Sequence, residues 1–106
     1  MTRSDDQRIA DILDACNEVE IIITLRQQDS TPDQVLLRSV ERLLEIIGEA
    51  ASQVSDERMA AYPDIDWHSL ARLRIVLAHH YHRTDPELIW SYATNEVPTL
   101  ALALRQ

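Results

Sequence analysis

The chain has no phenylalanine, one glycine, one cysteine and four prolines among its 106 residues. A hairpin-rich β protein needs turn residues every few positions, and so little glycine and proline cannot supply them. A lone thiol, Cys16, cannot build a disulfide framework within the chain. Three tyrosines and two tryptophans are the only aromatics, so the 45% hydrophobic content is mostly aliphatic. No apolar run approaches the roughly 18–20 residues of a membrane-spanning helix. Thr2 to Asp14 is polar and acidic where a signal peptide would be apolar. These absences predict an all-α protein of the cytoplasm that does not engage the membrane. At this length a chain ordinarily forms one domain, here 1–106, and buries roughly 65% of its unfolded surface.

Basic charge is also scarce. A net charge of −8 argues against clamping duplex DNA over a large surface, because that binding is driven by neutralising many phosphates. The scarcity is uneven, however. Trp67 to Arg83 contains all four histidines, three of the ten basic residues and no acid. The rest of the chain carries 7 basic and 18 acidic side chains, a net of −11. A small, locally basic site acting on a few nucleotides is compatible with that distribution.

The hydrophobic spacing predicts four main helices in a bundle, with one or two short extra ones. Ile9, Ile12, Cys16, Val19 and Ile23 place one stripe on a first helix from about Asp5 to Arg26. Thr31 as N-cap, Pro32 at the first helical position and Gln34 closing a capping box predict the next start. The second helix, about Asp33 to Val54, carries Leu36, Val40, Leu43, Ile47, Ala50 and Val54 in strictly alternating steps of four and three residues. Leu37, Leu44 and Ala51 form a row beside them. So wide a stripe must be covered on more than one side. Gly48 lies on that apolar side and costs about 1 kcal/mol relative to alanine. Close approach of a neighbouring backbone is the expected reason for it. A short helix is expected at Asp56 to Ala61. Another is capped by Asp66 and runs through the basic island towards His80. Thr84-Asp85-Pro86 opens a further helix, which Val97-Pro98 either kinks or ends before a last one, Thr99 to Arg105.

On the island helix, Leu70, Leu73 and Leu77 make the core row, and Ala71, Arg74, Ala78 and Tyr81 share another face. Arg72, Val76, His79 and Arg83 form a third. Arg74 and His79 are five residues apart, about 140° around an ideal helix. They converge only if the helix ends or bends near His79, or if a second copy supplies the complementary face. The groups suit cleavage of RNA without a metal or other cofactor. An imidazole titrating near neutrality can take the 2′-hydroxyl proton, and a guanidinium can donate two parallel hydrogen bonds to the charged phosphorane. Tyr81 would orient the phosphate or stack on a base, and acid-free surroundings would attract a polyanion.

Blander readings stand beside this one. Arg-x4-His alone is a weak signal, and Tyr81 at the end of an amphipathic helix suits half-buried packing. His79 and His82 with Asp85 nearby form a metal pair without a firm third ligand. His68 and His80 suit surface positions, and Cys16 suits a small buried hydrophobe. Trp67 and Trp90 suit core anchors, with Trp67 placed where it could wall the site.

At these residues the chain resembles the HepT-like toxins of the HEPN superfamily. The resemblance rests on Arg74-x4-His79-x-Tyr81 together with three other blocks. Leu44-Glu45-Ile46-Ile47-Gly48-Glu49-Ala50-Ala51 is similar to the family's second-helix signature, and Tyr62-Pro63-Asp64-Ile65-Asp66-Trp67 to its lead into the motif helix. Asp85-Pro86-Glu87-Leu88-Ile89-Trp90, followed by Val97-Pro98-Thr99-Leu100, is similar to its closing segment. The resemblance implies a homodimeric four-helix bundle. It implies a metal-independent endoribonuclease that leaves a 2′,3′-cyclic phosphate, with its cleft where two motif helices meet. Arg74 and His79 are the expected catalytic pair, and Tyr81, Arg72, His80 and Arg83 the expected substrate contacts. It further implies a toxin–antitoxin pair, in which a minimal nucleotidyltransferase of the MntA type transfers AMP to Tyr81. Nucleotidylation would block substrate by charge and by bulk. Two positions depart from the pattern: Ile75 replaces a polar residue, commonly Asn, and His80 a frequent glycine. Loss of the polar neighbour removes a hydrogen-bond donor and implies weakened activity. The alternative is a non-catalytic module that scaffolds a nucleotidyltransferase.

Overall fold

A computed structural model describes residues 3–79 and 85–106 of the chain, with the backbone alone at 78 and 79. It consists of α1 (Asp5–Gln27), α2 (Asp33–Ala51), the short α3 (Asp56–Ala60) and α4 (Trp67–His79). They are followed by α5 (Pro86–Ser91), a π-helical turn (Tyr92–Glu96) and α6 (Val97–Leu104). Among the described residues there is no β-strand, so the all-α expectation holds.

Helix α2 is the centre of the packing, with α1 on one side and α4 on the other. Its wide apolar stripe explains this position. Leu36, Leu37, Val40, Leu43, Leu44, Ile47, Gly48, Ala50 and Ala51 are all buried. Val54 lies beyond the last turn yet is 5% exposed and belongs to the same core. Helix α1 presents Ile9, Ile12, Ala15, Cys16, Val19 and Ile22 to α2 on one flank and α6 on the other. Ile22 thus occupies the buried position expected of Ile23, which is only partly covered, because a helix packed on two neighbours buries an arc wider than one stripe.

The helix ends follow local chemistry. Ser4 caps α1 in a reciprocal capping box with Gln7. The far end of α1 leaves through Asp29 at φ 52°, a left-handed residue of the kind that commonly terminates helices. Ser55 caps α3, and its N–H and hydroxyl also donate to the Asp5 carboxylate at 3.0 and 2.5 Å, tying α3 to the start of α1. Asp85 caps α5 by accepting from Glu87 N–H, with Pro86 in the first turn. The expected Thr31 cap is not found. Pro32 occupies the N-cap in an extended conformation, and its carbonyl accepts from Val35 and Leu36 N–H. The Gln34 amide faces Arg38 instead of closing a box.

Val97-Pro98 neither breaks nor sharply ends the last helix. Proline in an ordinary α-helix lacks its own donor and clashes with the carbonyl four residues back. Here the backbone widens ahead of Pro98, and Val97 N–H donates to Tyr92 O five residues back. Residues 86–104 therefore continue as one rod, and α1, α2, α4 and this rod are the four main members of the bundle.

Candidate active site

Helix α4 starts where the sequence predicts. The Asp66 carboxylate accepts from Ser69 N–H at 3.1 Å and from the Ser69 hydroxyl at 2.8 Å. Those two bonds, the hydroxyl's first, hold the Asp66 carboxyl below its ordinary value of 3.8. Trp67 follows, 7% exposed, its ring 6.1 Å from that of Tyr62. It is a core anchor, as is Trp90, over whose ring the Arg26 guanidinium lies at 4.1 Å. Leu70 and Leu77 are buried and Leu73 partly so, the expected core row.

Arg74 stands on the α2-facing side of the helix, beside the core row and not on a face apart from it, with its backbone against Gly48 and its guanidinium beside Glu49. Two features let a charged side chain sit there. The first is Gly48. A Cβ at that position would lie 2.7 Å from Arg74 N, 3.0 Å from Leu70 O and 3.2 Å from Leu73 Cβ. The missing side chain is thus the space through which the α4 backbone seats on α2, as expected from the sequence. The second is Glu49, whose Oε2 is 3.3 Å from Arg74 Nη1. The guanidinium itself emerges, with the Arg74 side chain 44% exposed. The surroundings are therefore not acid-free. Helix α4 carries no acid, but α2 brings one to its arginine, a placement invisible in the linear charge pattern.

Arg72 is two residues from Arg74, about 160° away around the helix, and lies exposed. A single protomer does not bring the two arginines together. Arg72 instead shares the solvent side of α4 with Ile75 and Val76, which are 48% and 46% exposed. Helix α4 runs unbroken to His79, so positions 74 and 79 keep the separation of about 140° expected from their spacing. The side chain of His79, and His80, Tyr81, His82 and Arg83 entirely, lie outside the described residues, as does the possible metal pair of His79 and His82. Among the described residues no group of three or more His, Cys, Asp or Glu could hold a metal ion.

Glu49 also borders a hollow of about 310 Å³ between the first turns of α1 and the second half of α2. Arg3, Arg8 and Arg42 line it, with Asp11 and Glu45 as counterions. Of these residues only Glu45 falls within a stretch notable in the sequence, Leu44 to Ala51, because the hollow forms only through the packing of α1 on α2. Cys16 is fully buried, and burial pushes its thiol up to about 12. It is a core residue.

Residues 12–106 match the sequence profile of the family described as "Ribonuclease HepT-like". The chain belongs to the HepT-like ribonuclease family. This HepT-like chain is 34% identical over 92 residues to a Methanocaldococcus jannaschii protein named "Putative RNase", covering 87% of this chain and 71% of the other. It is 31% identical over 101 residues to the "Probable ribonuclease HepT" of Thermococcus cleftensis, covering 94% and 92%. A protein of Caldanaerobacter subterraneus, also named "Putative RNase", is 30% identical over 88 residues, covering 83% and 79%. No solved structure matches the chain. Among the described residues no helix is long and apolar enough to cross a membrane.

Proposed function

We propose that this HepT-like chain is a metal-independent endoribonuclease, the toxin of a toxin–antitoxin pair, working in the cytoplasm as a homodimer. The observation that carries the reading is Arg74. It is a guanidinium half-exposed at a close helix–helix seat, in a helix without acids, within a family of ribonucleases. Two copies are needed because positions 74 and 79 diverge around one helix. The exposed apolar pair Ile75 and Val76 beside Arg72 suits burial against the same helix of a second copy.

In the cleft between two motif helices, Arg74 binds the scissile phosphate. The 2′-oxygen attacks phosphorus, His79 takes the 2′-hydroxyl proton, and the bond from phosphorus to the 5′-oxygen breaks. A proton returned from imidazole leaves a free 5′-hydroxyl beside a 2′,3′-cyclic phosphate. Tyr81 contacts substrate, with Arg72, His80 and Arg83 as further contacts. Control falls to a minimal nucleotidyltransferase of the MntA type, which transfers AMP from ATP to the Tyr81 hydroxyl with release of pyrophosphate.

Incubating the purified protein with labelled RNA in EDTA tests this. Cleavage to a 2′,3′-cyclic phosphate is expected, and Arg74→Ala and His79→Ala each abolish both cleavage and growth arrest while leaving a folded dimer. A fully toxic variant at either position would refute the assignment. The exposed Ile75 after Arg74, where the family commonly has a polar residue, favours the second reading, a non-catalytic scaffold for the nucleotidyltransferase. Sustained inertness of unmodified protein would select it. Intact mass after co-expression with a minimal nucleotidyltransferase of the MntA type, with AMP increments mapped to Tyr81, tests the partner.

A further inference from the structure

Among the described residues, the Arg74–Glu49 pair is the one ion pair that joins α2 to α4. Its two ends are held by backbone. Gly48 seats α2 against the peptide nitrogen of Arg74, so the adjacent Glu49 faces that arginine at a register neither helix can change without losing the seat. Both side chains are substantially exposed, 44% for Arg74 and 60% for Glu49. Such a pair contributes little to stability, because water screens it and two long side chains must be ordered. Its effect falls on the arginine itself. A guanidinium on a flexible stem has five donors, and anchoring one Nη leaves Nε and the other Nη free for two parallel bonds to a phosphate.

We infer that Glu49 is a positioning residue, which orients the Arg74 guanidinium for the scissile phosphodiester. The inference rests on the reading of Arg74 as the phosphate-binding group. It has an electrostatic cost, because a carboxylate beside the site opposes an incoming polyanion. Glu49 therefore acts on two parameters in opposite directions. Its hydrogen bond raises kcat, and its charge raises KM.

The test is cleavage of a mixed-sequence oligoribonucleotide by the dimeric wild type and by the Glu49→Ala, Glu49→Gln and Arg74→Ala variants, at low and high salt. Glu49→Ala is expected to lose about tenfold in kcat through misorientation of the arginine, with KM no higher than wild type. Glu49→Gln keeps an acceptor without charge, so its kcat stays within about twofold of wild type. Its KM falls at low salt, and the difference closes at high salt as the charge is screened. Wild-type kcat in Glu49→Ala would overturn the inference, and so would equal losses in the two variants, which would mark a structural role. If Arg74→Ala itself cleaved normally, the reading of Arg74 would fall instead, so the two failures are distinguishable. A readout independent of activity is the NMR signal of Arg74 Nε–H. It is expected to be ordered in wild type and Glu49→Gln and motionally averaged in Glu49→Ala. Identical order in all three would overturn the positioning role.

Discussion

Replacing Gly48 by alanine sets two effects of known sign against each other. A helix interior gains about 1 kcal/mol when glycine becomes alanine. The new methyl carbon, however, would lie 2.7 Å from Arg74 N and 3.0 Å from Leu70 O, both backbone atoms of α4, and 3.2 Å from Leu73 Cβ. Backbone atoms cannot rotate away, so α4 has to translate outward by some tenths of an ångström and loosen its core row. Overpacking of this kind costs about 1–3 kcal/mol. With the middle of that range against the propensity gain, the net loss is about 1 kcal/mol, or a fall in Tm of roughly 4 °C for a domain of this size. Native domains hold about 5–15 kcal/mol, so the variant remains folded at room temperature. Activity suffers more than stability, because the displaced backbone atom belongs to Arg74. RNA cleavage by Gly48→Ala is expected to fall by about tenfold or more with the folded fraction unchanged. Urea unfolding followed by circular dichroism, beside the cleavage assay, measures both quantities. A higher Tm for Gly48→Ala would refute the reasoning, since helix propensity would then outweigh a contact that cannot be as close as described.

Two further predictions concern titration. Hydrogen bonds from Ser69 lower the Asp66 pKa in the folded state, so the stability they confer is present above the unfolded value of 3.8 and is lost as pH falls through the folded one. The Tm difference between wild type and Asp66→Asn is therefore largest near neutrality and closes on acidification below about pH 4, whereas a constant difference would contradict the linkage. Cys16, with its thiol pushed up to about 12 by burial, is expected not to react with Ellman's reagent at pH 8 until denaturant is added. Rapid modification of the native protein would show that the core opens around α1.

Legibility in the sequence tracked how local the cause was. The α2 stripe depends on spacing, and the Asp66 and Asp85 caps and the tryptophan anchors on residue type, and each appears where expected. Gly48 was legible for a different reason: a costly residue on an apolar face needs a neighbour's backbone to justify it. The Thr31 cap failed because two adjacent residues, Thr31 and Pro32, could each start α2, and geometry one residue apart is not settled by composition. Val97-Pro98 is compatible in sequence with either a kink or a new helix, because both relieve the same clash, and the π-turn ahead of Pro98 relieves it in a third way. At the candidate site the motif itself was readable, and its surroundings were not. Glu49 lies 25 positions from Arg74, and no run of charge along the chain announces that they meet.

By itself the chain's order of residues determined the helical class, the approximate helix limits, the buried faces and the concentration of histidine and arginine, without acid, between Trp67 and Arg83. These follow from periodicity, capping and the uneven distribution of charge, which act over a few residues at a time. Only the tertiary structure decided that Arg74 stands on the α2 side of its helix and Arg72 away from it, and that a carboxylate from α2 accompanies the arginine. Those facts depend on the rotation and register of one helix against another. Here that register is set by the absence of a single side chain at Gly48.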